Sequence, residues 1–170
     1  MKVVLLPGNS KENKAWIEEI EKTLKKECAT KVIYYEHWKT GEETINIEAE
    51  VKKLEQVVVK EGVIFAKSAG CLVVLKGIAE KRINPKKCIF AGVSVRWAES
   101  KNIPIKEWLK KNKIPTVILQ KTEDPAIHVS ELRILLQELK VENYTMKEIP
   151  GNDHHYENIK QIKELILKGA

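Results

Sequence analysis

The sequence predicts an α/β fold, a three-layer sandwich in which helices cover both faces of a sheet of about six parallel strands. Strand-like and helix-like segments alternate along the whole chain. Strands are predicted at residues 2–6, 31–35, 63–66, 87–93, 116–120 and 144–149. Most of these segments are nearly all apolar, which is typical of strands that are buried on both faces. Regular alternation of strands and helices is typical of parallel α/β folds.

The segments between the strands carry apolar residues at helical spacing. Helices are predicted at residues 13–28, 47–58, 71–78 and 105–112, after the fifth strand, and at the carboxyl end of the chain. Residues 47, 51, 54 and 58 form the apolar face of the second helix. The helix after the fifth strand places leucines 132, 135, 136 and 139 on its inner side, and the last helix carries isoleucines 159, 162 and 166.

Length and composition predict one domain, residues 1–170, with an ordinary core. The net charge is +6, but the basic residues are mostly lysines interspersed with glutamates. Nucleic-acid-binding surfaces instead concentrate arginine and aromatic residues, so we expect no nucleic-acid partner. No apolar stretch approaches the ~20 residues that a membrane helix needs. We expect a cytoplasmic protein that does not enter a membrane.

The three cysteines, Cys28, Cys71 and Cys88, are odd in number and widely spaced. This pattern predicts neither a disulfide framework nor a zinc or redox motif. We therefore interpret them as small buried residues.

Ser68 stands on a predicted tight turn between the third strand and the following helix, in residues 66–70 (AKSAG). Ligands of an open parallel sheet bind beyond the carboxyl ends of its strands. Small residues at 66 and 70 allow a sharp strand-to-helix turn that exposes a nucleophile. The helix N-terminus would also favour developing negative charge. Alternatively, Ser68 only caps the helix.

Asp124 follows the fifth strand in residues 121–125 (KTEDP), and His154 follows the sixth in residues 150–155 (PGNDHH). Each taken alone is typical of a turn or a solvated loop. Together with Ser68 they place the three residue types of a catalytic triad at one edge of the sheet. The loop at residues 7–10 (PGNS) follows the first strand, and a switch point between strands one and three would place it beside Ser68.

These segments make the chain resemble the α/β-hydrolase superfamily. Residues 66–70 are similar to its G-x-S-x-G nucleophile elbow, with Ala66 in place of the first glycine. Residues 121–125 resemble the loop of the catalytic acid, and residues 150–154 resemble the glycine-containing turn of the catalytic histidine. The resemblance is closest to the very short members, including small serine hydrolases of the retinoblastoma-binding-protein type. It implies a minimal fold with strand order 2-1-3-4-5-6.

The resemblance implies a serine hydrolase that cleaves a small ester or related acyl substrate. Ser68 would be the nucleophile, His154 the base and Asp124 the acid. The backbone N–H groups of Asn9 and Ala69 would form the oxyanion hole. No cofactor and no metal is expected.

The assignments of the acid and the base each have a neighbour that competes with them. Asp124 is preferred to Glu123 because it stands directly before Pro125. His154 is preferred to His155 because its spacing from Gly151 matches the family turn.

Three residues are candidates for substrate contact. Trp97 and Trp108 lie in the one sizeable excursion, residues 94–112, where they either line an acyl pocket or pack on the core. Lys67 lies beside Ser68, and the favoured interpretation is a surface lysine next to the pocket. The short excursion predicts small or exposed substrates.

Another pair of residues follows the second strand. His37 and Trp38 lie near the expected rim of the site. Because strand two lies at the edge of the sheet, a structural role is favoured for both.

Other functions stay open at this point. The fold and triad do not choose among esterase, thioesterase, amidase and perhydrolase. A non-catalytic binding protein could keep the same fold. A flavodoxin-like nucleotide- or flavin-binding domain could use residues 7–10 as a phosphate loop, although neither G-x-x-x-x-G-K-[ST] nor G-x-G-x-x-G occurs in the sequence.

Overall fold

A computed structural model describes residues 2–57 and 62–168, in which six strands form one sheet. The strands are β1 (Lys2–Leu6), β2 (Ala29–Val32), β3 (Val63–Lys67), β4 (Lys87–Ala91), β5 (Thr116–Lys121) and β6 (Tyr144–Ile149). Every neighbouring pair is parallel, and the order is β2-β1-β3-β4-β5-β6. The predicted fold class and strand order are confirmed.

The helices divide between the two faces of the sheet. The helices are α1 (Asn13–Leu24), α2 (His37–Thr40), α3 (Ile47–Val57), α4 (Ala69–Ala79), α5 (Val95–Ser100), α6 (Ile105–Lys111), α7 (Val129–Glu138) and α8 (Ile159–Leu167). Helices α1 and α8 pack together over one face. Helices α3, α4, α6 and α7 contribute to the core on the other face. None of the helices within the described residues is long and apolar enough to cross a membrane.

Strand β1 contributes side chains to the hydrophobic cores on both faces of the sheet. Val3 and Leu5 enter the core under α1 and α8, whereas Val4 and Leu6 enter the opposite core. Successive side chains of a strand point to opposite faces, so a nearly all-apolar segment must be covered twice. This burial fixes the sheet and brings the loops after its strands to one edge.

The second strand lies earlier in the chain than predicted. It spans Ala29–Val32 instead of residues 31–35, because α1 ends at Leu24 and not at Cys28. Tyr35 is fully buried beyond the strand, where its hydroxyl donates to Pro7 O at 2.6 Å. Of the two aromatic residues that suggested a strand, Tyr35 is therefore buried in a loop, whereas Tyr34 is exposed.

Other boundaries differ by a few residues. Strand β4 ends at Ala91 and not at residue 93, because Gly92 has φ 61° and turns the chain. Helix α4 begins at Ala69, directly after Ser68. Val58, predicted on the inner face of the second helix, lies outside the described residues.

Candidate active site

Ser68 forms a strained turn between β3 and α4. Its backbone has φ 53° and ψ −118°, a conformation that non-glycine residues rarely adopt. The Ser68 N–H donates to Ala91 O at 2.9 Å, which ties the turn to β4. At Gly70 a Cβ would lie 2.7 Å from Pro7 O, so only glycine allows β1 to approach this closely. The glycine predicted two residues after the serine has this physical cause.

Asp124 and His154 are joined directly. The Nδ1–H of His154 donates to Asp124, with 2.8 Å to Oδ1 and 3.0 Å to Oδ2. The aspartate side chain is fully buried, and the histidine side chain is 27% exposed. Because Nδ1 holds the proton in this bond, Nε2 of the neutral ring is free to accept one.

Two further groups support the Asp124 carboxylate. Tyr156 Oη donates to Oδ2 at 2.7 Å, and the Ala126 N–H donates to Oδ1 at 2.8 Å. Burial alone would raise the pKa of Asp124, but the hydrogen bonds from His154 and Tyr156 outweigh it and lower that pKa. The carboxylate is therefore held in its charged form. Tyr156 was not singled out from the sequence, where a tyrosine two residues after a histidine carries no specific signal.

The geometry distinguishes the neighbouring candidates. Glu123 and His155 are exposed, whereas Asp124 is buried and bonded to His154. His155 donates its backbone N–H to Asp153 Oδ1. Asp124 and His154 are thus the pair that the fold brings together.

The hydroxyl of Ser68 contacts a second serine. Its Oγ lies 2.7 Å from Oγ of Ser94, which is buried at the start of α5. Within the described residues no hydrogen bond joins Ser68 to His154, although both side chains line the same clefts. In structures without substrate, the hydrogen bond between a nucleophile and its base is often long or poorly aligned. Ser94 was missed because a serine after a strand is common in any loop.

Four hydrogen bonds join Asn9 to the segment after β2. His37 Nε2 and Trp38 Nε1 donate to its backbone oxygen at 2.8 and 2.7 Å. The Ile45 N–H donates to Asn9 Oδ1, and Asn9 Nδ2 donates to Glu43 O. Ala69, the other predicted oxyanion residue, is the first residue of α4 and lines one cleft together with Asn9 and Ser68.

These contacts give His37 and Trp38 the structural role that was favoured for them. Both rings lie close to Tyr35, with ring centroids 5.7 and 5.3 Å away. The aromatic cluster therefore fixes the loop after β1 from the edge of the sheet.

Lys67 is buried, which corrects its interpretation as a surface lysine. Only 6% of the residue is exposed. Its Nζ donates to Asn13 Oδ1 at 2.7 Å and lies 5.4 Å from the ring centroid of Trp16. Burial lowers the pKa of this ammonium group, and the charge of Asp124 partly opposes that effect.

Two clefts meet at Ser68 and His154. The first, of about 480 Å³, is called the Lys67 cleft and is lined by Asn13, Trp16 and Lys67. The second, of about 330 Å³, is called the Trp97 cleft and is lined by Trp97, Pro125 and Ala126 together with Ala69, Ser94 and Arg96.

The structure separates the two tryptophans of the excursion. Trp97 lines the cleft named after it, together with Ser68 and His154. Trp108 instead packs in the core, 8% exposed, with Lys76 Nζ 5.7 Å from its ring centroid. Trp97 therefore lines a cleft at Ser68 and also packs against the core, whereas Trp108 packs in the core. An acyl-binding role for Trp97 stays a prediction.

Gly92 sets the position of the histidine. A Cβ at this residue would lie 2.7 Å from Cε1 of His154 and 2.7 Å from Cε2 of Tyr156. With φ 61°, the residue also has a backbone conformation that favours glycine. The turn after β4 thus makes room for the imidazole.

Comparison with known proteins finds similarity in structure only. No family model matches the sequence, and no curated protein matches it. An uncharacterized protein from Bacillus cereus ATCC 10987 has a TM-score of 0.73 at 18% identity. The match covers 98% of this chain and 58% of that one, so this chain spans little more than half the length of that protein.

Two other solved structures are matched over most of both chains. A monoacylglycerol lipase from Paleococcus ferrophilus has a TM-score of 0.67 at 14% identity, covering 99% of this chain and 95% of that one. An α/β hydrolase enzyme, MGS-M2, from a Medee basin deep-sea metagenome library has a TM-score of 0.61 at 16% identity, covering 99% and 88%. The chain has the α/β-hydrolase fold. The narrower resemblance to the retinoblastoma-binding-protein type stays a prediction.

The α/β-hydrolase fold accounts for where the candidate residues lie. Ser68, Asp124 and His154 follow β3, β5 and β6 at one edge of the sheet, as the strand order requires. Ala66, which stands where the G-x-S-x-G motif has its first glycine, is fully buried in β3. In the described parts of the chain, no three His, Cys, Asp or Glu side chains are grouped as metal ligands would be.

Proposed function

We propose that this protein is a serine hydrolase that cleaves a small ester or related acyl substrate in the cytoplasm. The observation that carries the proposal is the buried Asp124–His154 pair beside the strained turn of Ser68. Backbone strain of this kind is costly and concentrates at functional sites. A serine that merely capped α4 would not need it, and Ser68 makes no side-chain cap hydrogen bond to that helix.

The proposed reaction begins with attack of Ser68 Oγ on the acyl carbon. Nε2 of His154 accepts the hydroxyl proton as the Oγ–C bond forms, and Asp124 stabilises the resulting imidazolium. The carbonyl oxygen becomes an oxyanion, for which the N–H groups of Asn9 and Ala69 are the proposed donors. Collapse breaks the bond to the leaving group, which takes the proton from His154.

Water then releases the acyl group. His154 accepts a proton from a water molecule as the water oxygen attacks the acyl carbon. The bond between the acyl carbon and Ser68 Oγ then breaks, and His154 returns the proton to Oγ. The products are a carboxylic acid and regenerated enzyme. Trp97 is the proposed contact for the uncharged part of the substrate, since it lines the less polar cleft.

The structural comparisons support this proposal without choosing the substrate. The lipase and the α/β hydrolase share the fold at low identity, and one fold hosts many activities. Ester hydrolysis is the simplest reaction for a nucleophilic serine with this acid–base pair.

The experiment is hydrolysis of short p-nitrophenyl esters by three variants, each lacking one proposed group. We expect Ser68→Ala and His154→Gln to lower kcat/KM by roughly 1000-fold or more, and Asp124→Asn by a comparable factor. Glu123→Gln is the matched control at the exposed neighbour of Asp124, and it should retain the wild-type rate. An equal loss in this control and in the triad variants would contradict the assignment.

A non-catalytic binding protein is the second candidate, and one observation favours it. Ser68 Oγ bonds to Ser94 in this structure and not to His154. If that bond holds the hydroxyl permanently away from the base, the folded wild-type protein will not turn over any ester. Stable folding without turnover would therefore favour the binding function.

A further inference from the structure

Lys67 places a buried positive charge next to the proposed nucleophile. It is the last residue of β3 and is only 6% exposed. Its Nζ contacts two uncharged groups, Asn13 Oδ1 at 2.7 Å and the ring of Trp16 at 5.4 Å. None of the ion pairs in the described parts of the chain includes Lys67.

An ammonium group in this position is costly without an anion. Removing a charge from water is unfavourable unless a partner of opposite charge compensates it. Asp124 is the carboxylate whose charge acts most strongly on Lys67. Its oxygens, however, already accept hydrogen bonds from His154, Tyr156 and Ala126. Lys67 therefore retains donor capacity toward the cleft that it lines.

We propose that the Lys67 cleft binds a negatively charged group of the substrate, so that this enzyme prefers anionic esters over neutral ones. The inference rests on the proposed hydrolase function and adds the class of substrate. Lys67 and Ser68 are consecutive residues and line the same cleft with His154. The anionic end would complete the contacts of Nζ while the ester lies at Ser68, and the Trp97 cleft would hold the uncharged end.

The acidic residues of the same cleft do not cancel this preference. Glu12 and Glu157 line its rim, and both are exposed. Charges on exposed side chains are screened by water and salt, whereas a buried charge is screened much less. An anion inside the cleft is therefore affected more by Lys67 than by these two exposed carboxylates.

The test compares matched charged and neutral esters. The first pair is 4-acetoxybenzoate and its methyl ester, which place the charge on the leaving group. The second pair is the 4-nitrophenyl monoester of adipic acid and 4-nitrophenyl hexanoate, which place it on the acyl group. The readout is the ratio of kcat/KM for the charged ester to that for the neutral ester, divided by the ratio of their rates of hydroxide-catalysed hydrolysis without enzyme.

Wild type should give a ratio above one in at least one pair. Lys67→Met should lower that ratio by roughly 10- to 100-fold, the range expected for one hydrogen bond to a charged group. Lys67→Arg should keep part of the preference because it keeps the charge. Lys14→Met removes an exposed lysine of α1 and makes the same change in net charge, so its ratio should match wild type.

Three results would overturn the proposal. The first is a wild-type ratio of one or less in both pairs. The second is a Lys67→Met variant that loses the same factor of kcat/KM on charged and neutral esters. The third is a Lys14→Met variant whose ratio changes as much as that of Lys67→Met. The wild-type ratio decides the question even if Lys67→Met fails to fold.

Binding separates this proposal from the hydrolase function. If wild type hydrolyses none of the esters, the hydrolase function fails, and titration of Ser68→Ala with 4-hydroxybenzoate and its methyl ester tests the anion site alone. The anion site would be supported if Ser68→Ala binds 4-hydroxybenzoate more tightly than its methyl ester and Ser68→Ala/Lys67→Met does not. Equal binding of both compounds would overturn it.

Discussion

Ser68 combines the proposed reactivity with an unfavourable backbone conformation. Its positive φ arises because β3 must turn directly into α4 while the Ser68 N–H bonds to Ala91 O. A conformation of this kind costs of order 1–3 kcal/mol and is compensated by the surrounding sheet. The strain and the exposure of Oγ have the same origin, so stability and activity should respond to this residue in opposite directions.

We predict that Ser68→Gly is more stable than Ser68→Ala by about 1 kcal/mol. Both variants lack Oγ, but only glycine relieves the backbone strain that the Cβ of alanine maintains. The free energy of unfolding from urea titration measures the difference. A Ser68→Gly protein less stable than Ser68→Ala would show that the turn is not strained.

Tyr156 is the side chain that most directly supports the proposed acid. Its hydroxyl donates to Asp124 Oδ2 and accepts from the Lys121 N–H at 3.1 Å. Burial and the nearby Asp124 carboxylate together raise the pKa of this tyrosine, so the hydroxyl keeps its proton. The same bond fixes the carboxylate toward His154.

We predict that Tyr156→Phe destabilises the protein by about 1.5–3 kcal/mol, because it removes a buried hydrogen bond to a charged group. It should also lower kcat/KM for ester hydrolysis by roughly tenfold, because Asp124 loses one of the bonds that orient it. Unfolding titrations and ester kinetics measure the two effects. Tyr144→Phe, on half-buried β6, is the matched control and should change neither.

Sequence reasoning located the candidate site residues better than the residues that hold them in place. Ser68 and Asp124 follow the largely buried strands β3 and β5, and His154 follows the edge strand β6, so the loop position itself is informative. Tyr156, Ser94 and Gly92 act through contacts between loops that are far apart in sequence. Their roles follow from packing distances, such as the 2.7 Å from a Cβ at Gly92 to His154 Cε1, which local patterns do not encode.

At the scale of elements, the short helix α2 determines the geometry of the loop after β1. Both His37 and Trp38 donate to the backbone oxygen of Asn9. These two bonds fix the peptide group that follows Asn9. They therefore also restrict the backbone N–H of Asn9, which is the proposed oxyanion donor. The edge strand β2 therefore contributes to the site through the segment that follows it.

We predict that Trp38→Phe lowers kcat for ester hydrolysis while leaving the fold intact. The substitution keeps an aromatic ring in the cluster but removes the Nε1–H bond to Asn9 O. The loss should be smaller than the roughly 100-fold that follows deletion of an oxyanion donor, because His37 still holds the loop. An unchanged kcat in the folded variant would show that the contact between α2 and Asn9 does not affect ester hydrolysis.

The second strand shows why element boundaries were the weaker part of the sequence prediction. Residues 33–35 are β-branched or aromatic, yet they follow β2, and Ile33 and Tyr35 are buried in a loop. Propensity reports that a side chain suits a buried surface, not that its backbone is paired. The strand order followed from the resemblance and did not depend on these boundaries.

For the whole molecule, the buried carboxylate links the site to acid stability. The pKa of Asp124 lies below its usual value of 3.8 because hydrogen bonds outweigh the effect of burial. A group whose pKa is lowered by folding stabilises the native state above the unfolded pKa. That contribution is lost as the pH falls through the folded pKa.

We predict that Asp124→Asn destabilises the protein most near neutral pH, and that the difference from wild type shrinks as the pH falls below about 4. The carboxylate is charged and bonded near neutrality, and it becomes protonated in both states in strong acid. Urea unfolding of both proteins between pH 2 and 7 measures the difference. Glu123→Gln, at an exposed residue, is the control. A difference in unfolding free energy between wild type and Asp124→Asn that stays constant with pH would show that folding does not lower the pKa of Asp124.

The most direct test of the account is covalent labelling with a fluorophosphonate, followed by mass mapping of the modified peptide. We predict that wild type is labelled at Ser68 and not at Ser94, that Ser68→Ala is not labelled, and that His154→Gln is labelled much more slowly. These results would show a serine activated by the histidine that Asp124 holds. A folded wild-type protein that takes up no label, or takes it up at another residue, would contradict the central claim.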